Sequence, residues 1–278
     1  MSVDPVPRRR LLISRGVAIV LVLLLVAIVA LAVQMVRDRM AAGRTVPADA
    51  SLATQCPGVP ATVLGKATRT TVTGADGRVL GAAYVGPAGA KVGVVLRHGA
   101  SQTLCDWLPW AADLSATTGA RVLLFDRRGR GSSPGAADVT LEPGDTAAAV
   151  AHLRADGTAA VALVGSSMGN AVLYAALPGI HPSPCAVASV SPVLTATDDH
   201  GTVDGAHPTG LVANTWLTWE ARNSAIVREV DTVKAALAKA GLPAPHELPV
   251  DSRDHSRALV NNHPQVVEFL RQAVASCL

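Results

Sequence analysis

Apolar residues are arranged in two different ways along this 278-residue chain. Near the N-terminus one unbroken run, Gly16 to Val36, carries no charge. Beyond about residue 62, short apolar runs alternate with Ala-rich stretches of helical character. "ATRTTVTGADGRVLGAAYVG" (67–86) reads as two strands joined by a turn. "KVGVVLRHG" (91–99), "ARVLLF" (120–125), "AAVALVGSS" (159–167), "CAVASVSP" (185–192), "GLVANTWLTW" (210–219) and "HELPV" (246–250) read as further strands. Between and after them, 106–119, 145–157, 168–177, 224–241 and 264–277 read as helices, the first ended by Gly119 and the second opened by Asp145.

Continuous Val/Ala/Leu runs, as opposed to alternating ones, are what strands covered on both faces look like. Strands alternating with helices imply a mostly parallel central sheet with helices on both faces, an α/β domain. The chain shows no internal repeat. Only the stretch Val193 to Thr209 separates two late strands, which leaves no room for a large cap domain.

The N-terminal run has a different logic. At about 1.5 Å per helical residue it spans roughly 30 Å, the thickness of a bilayer's hydrocarbon core. No soluble core helix needs apolar residues on every face. Residues 16–36 are therefore expected to be a transmembrane anchor or an uncleaved signal. The "ALA" at 30–32 offers a cleavage site, and cleavage would make the protein secreted. Arg8, Arg9, Arg10 and Arg15 make residues 1–15 a basic cytoplasmic flank, placing the rest of the chain outside the cytoplasm. Arg37, Arg39 and Arg44 weaken that bias without reversing it. Residues 37–61 lack a sustained period and carry three prolines, so they read as a linker, with the folded domain at 62–278.

Composition adds exclusions. Hydrophobic residues make up 49% and charged residues 16%, which suits a buried core and not a disordered chain. Net charge is +3, and the arginines are dispersed without interleaved aromatics, so no nucleic-acid partner is expected. Cys56, Cys105, Cys185 and Cys277 form an even set without C-x-x-C spacing. In an exported chain they suggest two disulfides of open connectivity, against four buried thiols otherwise.

The chemistry concentrates at Gly165-Ser166-Ser167-Met168-Gly169, a G-x-S-x-G pattern between a buried strand and a helix. A serine on such a strand-to-helix turn projects its oxygen above the sheet edge, beside the positive end of a helix. On these residues the chain from about 62 onward resembles the α/β-hydrolase family. "LRHGASQ" (96–102) is similar to the family's loop after the third strand, and "FDRRGRGSS" (125–133) to its D-x-R-G-x-G-x-S turn. The resemblance implies Ser167 as nucleophile. It implies an oxyanion hole from the N–H groups of Met168 and the Ala100–Ser101 loop. His255, in "PVDSRDHSRALV", is implied as base. His181, His200, His207 and His263, beside Gly or Pro, read as surface filler.

The acid is the open member. "TWEARNSAIV" aligns with the family's acid segment, but the acid position falls on Asn223. Glu220, three residues earlier, is the first choice; Asn223 as an amide orienter, or Asp198 or Asp199, are the alternatives. "DDHGTVDGAH" (198–207) reads as a polar loop in preference to a metal site. Trp107, Trp110, Trp216 and Trp219 read as core or pocket wall. In the family's topology Cys105 follows a strand while Cys185 precedes one, so these two would lie at opposite sheet edges. Cys185–Cys277 and Cys56–Cys105 are then expected.

These readings imply a membrane-anchored extracytoplasmic serine hydrolase, carboxylesterase-like, acting on a small-molecule ester or related acyl substrate. No cofactor or metal is expected. Thioesterase, amidase, peptidase and acyltransferase chemistry uses the same parts. Two rivals stand beside this. One is a catalytically degenerate binding protein on a hydrolase scaffold, supported by Asn223. The other is a tethered envelope protein, supported by the N-terminus alone.

Overall fold

The computed structural model describes residues 17–29 and 45–278. The chain divides into two units, Met1–Arg44 and Thr45–Leu278. In the first, residues 17–29 form a helix, α1, whose Val, Leu and Ile side chains are all exposed. No helix among the described residues is long and apolar enough to cross a membrane. The rest of the Gly16–Val36 run, and the flank before it, lie outside the described residues.

The second unit is built on an eight-stranded sheet in the order β1-β2-β4-β3-β5-β6-β9-β10. β1 (Ala67–Thr73) and β2 (Val79–Val85) form the antiparallel hairpin, and β2 also runs antiparallel to β4 (Arg121–Phe125). From β4 the sheet is parallel through β3 (Val92–Arg97), β5 (Ala160–Ser166), β6 (Ala186–Val190), β9 (Thr215–Glu220) and β10 (His246–Val250). Side chains alternate across it. Val94, Leu96, Leu124 and Val164 pack on one face with α4 (Leu104–Thr118) and α9 (Pro264–Ala275). Val95, Leu123, Phe125 and Leu163 pack on the other with α5 (Glu142–Ala155), α6 (Gly169–Ala176) and α7 (Ser224–Lys239). Two-sided burial explains why these strands read as continuous apolar runs.

Several details differ from the sequence reading. The compact unit starts at Thr45, not residue 62. α2 (Leu52–Gln55) buries Leu52, Cys56 joins the core, and α3 (Ala61–Leu64) follows, so much of the stretch read as linker packs on the domain. α5 begins three residues before Asp145, because Asp145 is buried against Arg128 and does not cap the helix. β9 takes only the second half of "GLVANTWLTW". α8 (Arg257–Asn262), directly after the base loop, was not foreseen. The segment read as a loop holds a hairpin, β7 (Thr195–Asp198) with β8 (Gly201–Asp204), whose Ala196 and Val203 pack on α6 residues Ala171 and Val172. One buried side chain per short strand is too weak a period to read from sequence.

Two disulfides join Cys56 to Cys105 and Cys185 to Cys277, the pairing the topology implied. Trp107 is fully buried, and Trp110, Trp216 and Trp219 are nearly so.

Candidate active site

β5 ends at Ser166 and α6 begins at Gly169, leaving Ser167 and Met168 on the turn between them. Ser167 sits at φ 52°, a left-handed conformation uncommon for a residue with a side chain. Two close approaches make the turn possible. A Cβ on Gly169 would lie 2.3 Å from the Arg97 carbonyl oxygen, and one on Gly165 would lie 2.4 Å from Asn170 Oδ1. The motif's glycines are thus required by crowding on either side of Ser167.

Ser167 Oγ lies 2.8 Å from His255 Nε2, and His255 Nδ1 lies 2.6 Å from Glu220 Oε1. Glu220 is the last residue of β9 and fully buried, whereas the His255 side chain is 39% exposed. Burial pushes the Glu220 carboxyl up, but hydrogen bonds from His255 and Ser191 outweigh it and hold the group below the usual carboxylate range. A carboxylate there fixes Nδ1 as the protonated nitrogen, leaving the Nε2 lone pair free to accept the serine proton.

The other acid candidates stand elsewhere. Asn223 caps α7, its Oδ1 accepting from Ala225 N–H at 3.2 Å, and its Nδ2 donates to Glu220 Oε1 at 3.3 Å. It supports the carboxylate and does not replace it. Asp198 accepts from Val139 N–H at 2.6 Å in the β7–β8 hairpin, and Asp199 is exposed at that hairpin's turn. Among the described residues no group of His, Cys, Asp and Glu could hold a metal ion.

Facing Ser167 is the loop between β3 and α4. A Cβ on Gly99 would stand 3.1 Å from the Ser167 Cβ, so the loop backbone passes against Ser167. Gly99 N–H is taken by Gln102 Oε1 at 3.0 Å, which leaves the N–H groups of exposed Ala100 and Ser101 as the loop's next donors. His98, fully buried, accepts Arg127 N–H at Nε2 (3.3 Å), so its proton is on Nδ1, donated to Gly99 O at 2.9 Å. Burial and the Arg97 charge push this imidazole down to about 3, so it is neutral and its 3.8 Å approach to Asp126 is not an ion pair.

Beneath the loop lies a buried charge cluster. Glu142 receives Arg97 and, at 3.0 Å, Arg127 Nε; Arg127 Nη1 in turn reaches the Ala100 carbonyl at 3.4 Å. Burial and mutual repulsion bring Arg97 down to about 9, and burial with Arg130 nearby brings Arg127 down to about 10. Both stay charged at neutral pH.

Sequence reasoning missed Gln102, Ser166, Ser191 and Ser256, which surround the triad. Gln102 and Ser256 adjoin motif residues, and only that adjacency could have flagged them. A groove of about 800 Å³ lies between residues 206–211 and the far half of α7, and none of these site residues lines it.

A family model described as the alpha/beta hydrolase family matches residues 94–275. The chain belongs to that family. No curated protein matches the sequence. Among solved structures, an esterase of Pyrococcus furiosus aligns with a TM-score of 0.62 at 18% identity, over 75% of this chain and 91% of its own. A Xanthomonas campestris α/β serine hydrolase without a lid aligns at 0.58 and 20% identity, over 75% and 94%. The esterase LipW of Mycobacterium marinum aligns at 0.57 and 19%, over 81% and 84%. At these identities the likeness speaks to the α/β-hydrolase fold alone.

Proposed function

We propose that this protein is a membrane-anchored, extracytoplasmic serine hydrolase that cleaves a carboxylic ester or related acyl bond through an acyl-enzyme on Ser167. The observation that carries it is the continuous Ser167–His255–Glu220 chain, at 2.8 and 2.6 Å. His255 Nε2 takes the hydroxyl proton as Ser167 Oγ attacks the acyl carbonyl. The Met168 N–H and the N–H groups of the Ala100–Ser101 loop receive the developing oxyanion. The imidazolium, stabilised by Glu220, then protonates the leaving alcohol. Water enters, His255 takes its proton, and a second tetrahedral intermediate collapses to release the acid and restore Ser167.

The named neighbours are esterases and a serine hydrolase, which supports an ester as substrate. The exposed apolar surface of α1 calls for lipid, and two disulfides suit an oxidising compartment. The binding-protein reading rested on Asn223 as a lost acid, and Asn223 has a capping role instead.

A fluorophosphonate probe on the protein, beside Ser167→Ala and His255→Ala, tests the reading. Labelling of the wild type alone, followed by turnover of p-nitrophenyl esters, is the expected result. A folded wild type that neither labels nor hydrolyses any ester would overturn it.

A further inference from the structure

Three hydrogen bonds converge on one side-chain amide, that of Gln102. Gln102 Oε1 accepts from Gly99 N–H at 3.0 Å and from Trp107 Nε1–H at 3.0 Å, and Nε2 donates to Ser256 Oγ at 2.9 Å. Ser256 Oγ lies 2.6 Å from Ser166 Oγ, beside the nucleophile. The amide's orientation is decided by its neighbours. Both the Gly99 and the Trp107 groups can only donate, so the oxygen must face them and the nitrogen must face Ser256. Ser256 Oγ accepts from Gln102 and shares a second hydrogen bond with the Ser166 hydroxyl.

Each arm has a distinct consequence. Occupying Gly99 N–H turns the loop so that the following N–H groups remain for the oxyanion. Holding Ser256, the residue after His255, fixes the base loop; Ser256 sits at φ 60°, a conformation a serine keeps only under constraint. Its N–H is held by Ser191 Oγ at 2.8 Å, and His255, the residue before it, bonds Glu220 at 2.6 Å. Oxyanion loop, nucleophile strand, base loop and acid are therefore one connected network.

We propose that Gln102 is a positioning residue: its amide locks the oxyanion loop to the base loop and sets the distance across which Ser167 and the oxyanion donors act. The proposal rests on the serine-hydrolase reading above. It predicts an effect on the chemical step and not on ground-state binding, because neither arm needs to touch the substrate.

The test is steady-state hydrolysis of a p-nitrophenyl ester by wild type, Gln102→Ala, Gln102→Glu and Ser256→Ala, with fluorophosphonate labelling and thermal midpoints measured in parallel. Gln102→Ala is expected to lower kcat roughly 10- to 100-fold with KM changed by less than about threefold. Gln102→Glu keeps the shape and the acceptor but loses the donor arm. Its carboxylate, ionised across the neutral and alkaline range, also opposes the oxyanion, so its kcat should fall further than that of Gln102→Ala throughout that range. Gln102→Ala combined with Ser256→Ala should cost little more than either alone. Should Gln102→Ala fail to fold, the isosteric Glu variant carries the test. Folded variants with wild-type kcat, or a loss confined to KM, would overturn the proposal. A wild type that does not label would instead defeat the serine-hydrolase reading on which it stands.

Discussion

The two ends of the central sheet are built on opposite principles. At the end where the parallel strands begin, Cys185 and Cys277 are joined, and Asn214 is fully used: Nδ2 donates to Cys185 O and Ser276 Oγ, and Oδ1 accepts from Trp216 Nε1. At the end where they finish, the backbone is strained and charge is buried. Ser167, Ser191 and Ser256, the three non-glycine residues with positive φ among those described, all lie there. Glu142, Arg97, Arg127 and neutral His98 are packed beneath the same loops. Strain and buried charge oppose folding, and they persist where they hold reacting groups in place. One end of the sheet contributes stability, and the other spends it on geometry.

Substitutions at the reacting end should give the largest effects. Ser167→Ala or His255→Ala should lower kcat by about 10⁶ while leaving the thermal midpoint nearly unchanged. Glu220→Gln should cost about 10⁴ in kcat by releasing the imidazole tautomer, and unchanged turnover would remove Glu220 from the triad. At the other end the signs reverse. Cys185→Ser with Cys277→Ser should lower unfolding free energy by about 4 kcal/mol in chemical denaturation, with kcat preserved at low temperature.

A fourth experiment uses pH to probe the charged underside. Folded His98 resists protonation down to about 3, whereas the unfolded chain takes up that proton below the ordinary value of 6.5. Stability from this group is complete above about 6.5 and is lost as pH falls toward 3. Urea midpoints should therefore drop between pH 7.5 and 5.5, and His98→Gln should flatten the change. The smallest effect is expected at Asn223. Its replacement by Ala should cost about 1 kcal/mol from the lost cap, and a modest fall in kcat as Glu220 loses one donor.

How much of this could be read from the chain depends on range. The strands of the sheet and its larger covering helices were legible, because two-sided burial writes itself as runs of Val, Ala and Leu. The turn at Ser167 was legible because glycines are forced where backbone crowds, as at Gly165 and Gly169. The acid was ambiguous: Glu220 and Asn223 are three residues apart, and which one meets His255 depends on where β9 ends against β10. Ser191 was invisible, since nothing in a serine codon announces a left-handed backbone. The β7–β8 hairpin escaped because only Ala196 and Val203 are buried in it.

The stretch between Thr45 and Thr62 decides where this chain can be cut. Val46 N–H bonds the Gly131 carbonyl at 2.8 Å, Gln55 Nε2 donates to Asp126 Oδ2 at 2.6 Å while its Oε1 accepts from Arg69, and Cys56 is bonded to Cys105. Asp126 in turn holds Leu104 N–H at the head of α4, two residues from Gln102. Trimming to residue 62, where the alternating pattern begins, would strip a donor from a buried carboxylate, expose a lone thiol at Cys105 and loosen the helix that follows the oxyanion loop. Trimming to residue 45 leaves every one of these stitches in place. A protease that shaves the protein from its N-terminus should therefore meet a boundary near Thr45, and activity should survive up to that boundary and fail soon beyond it.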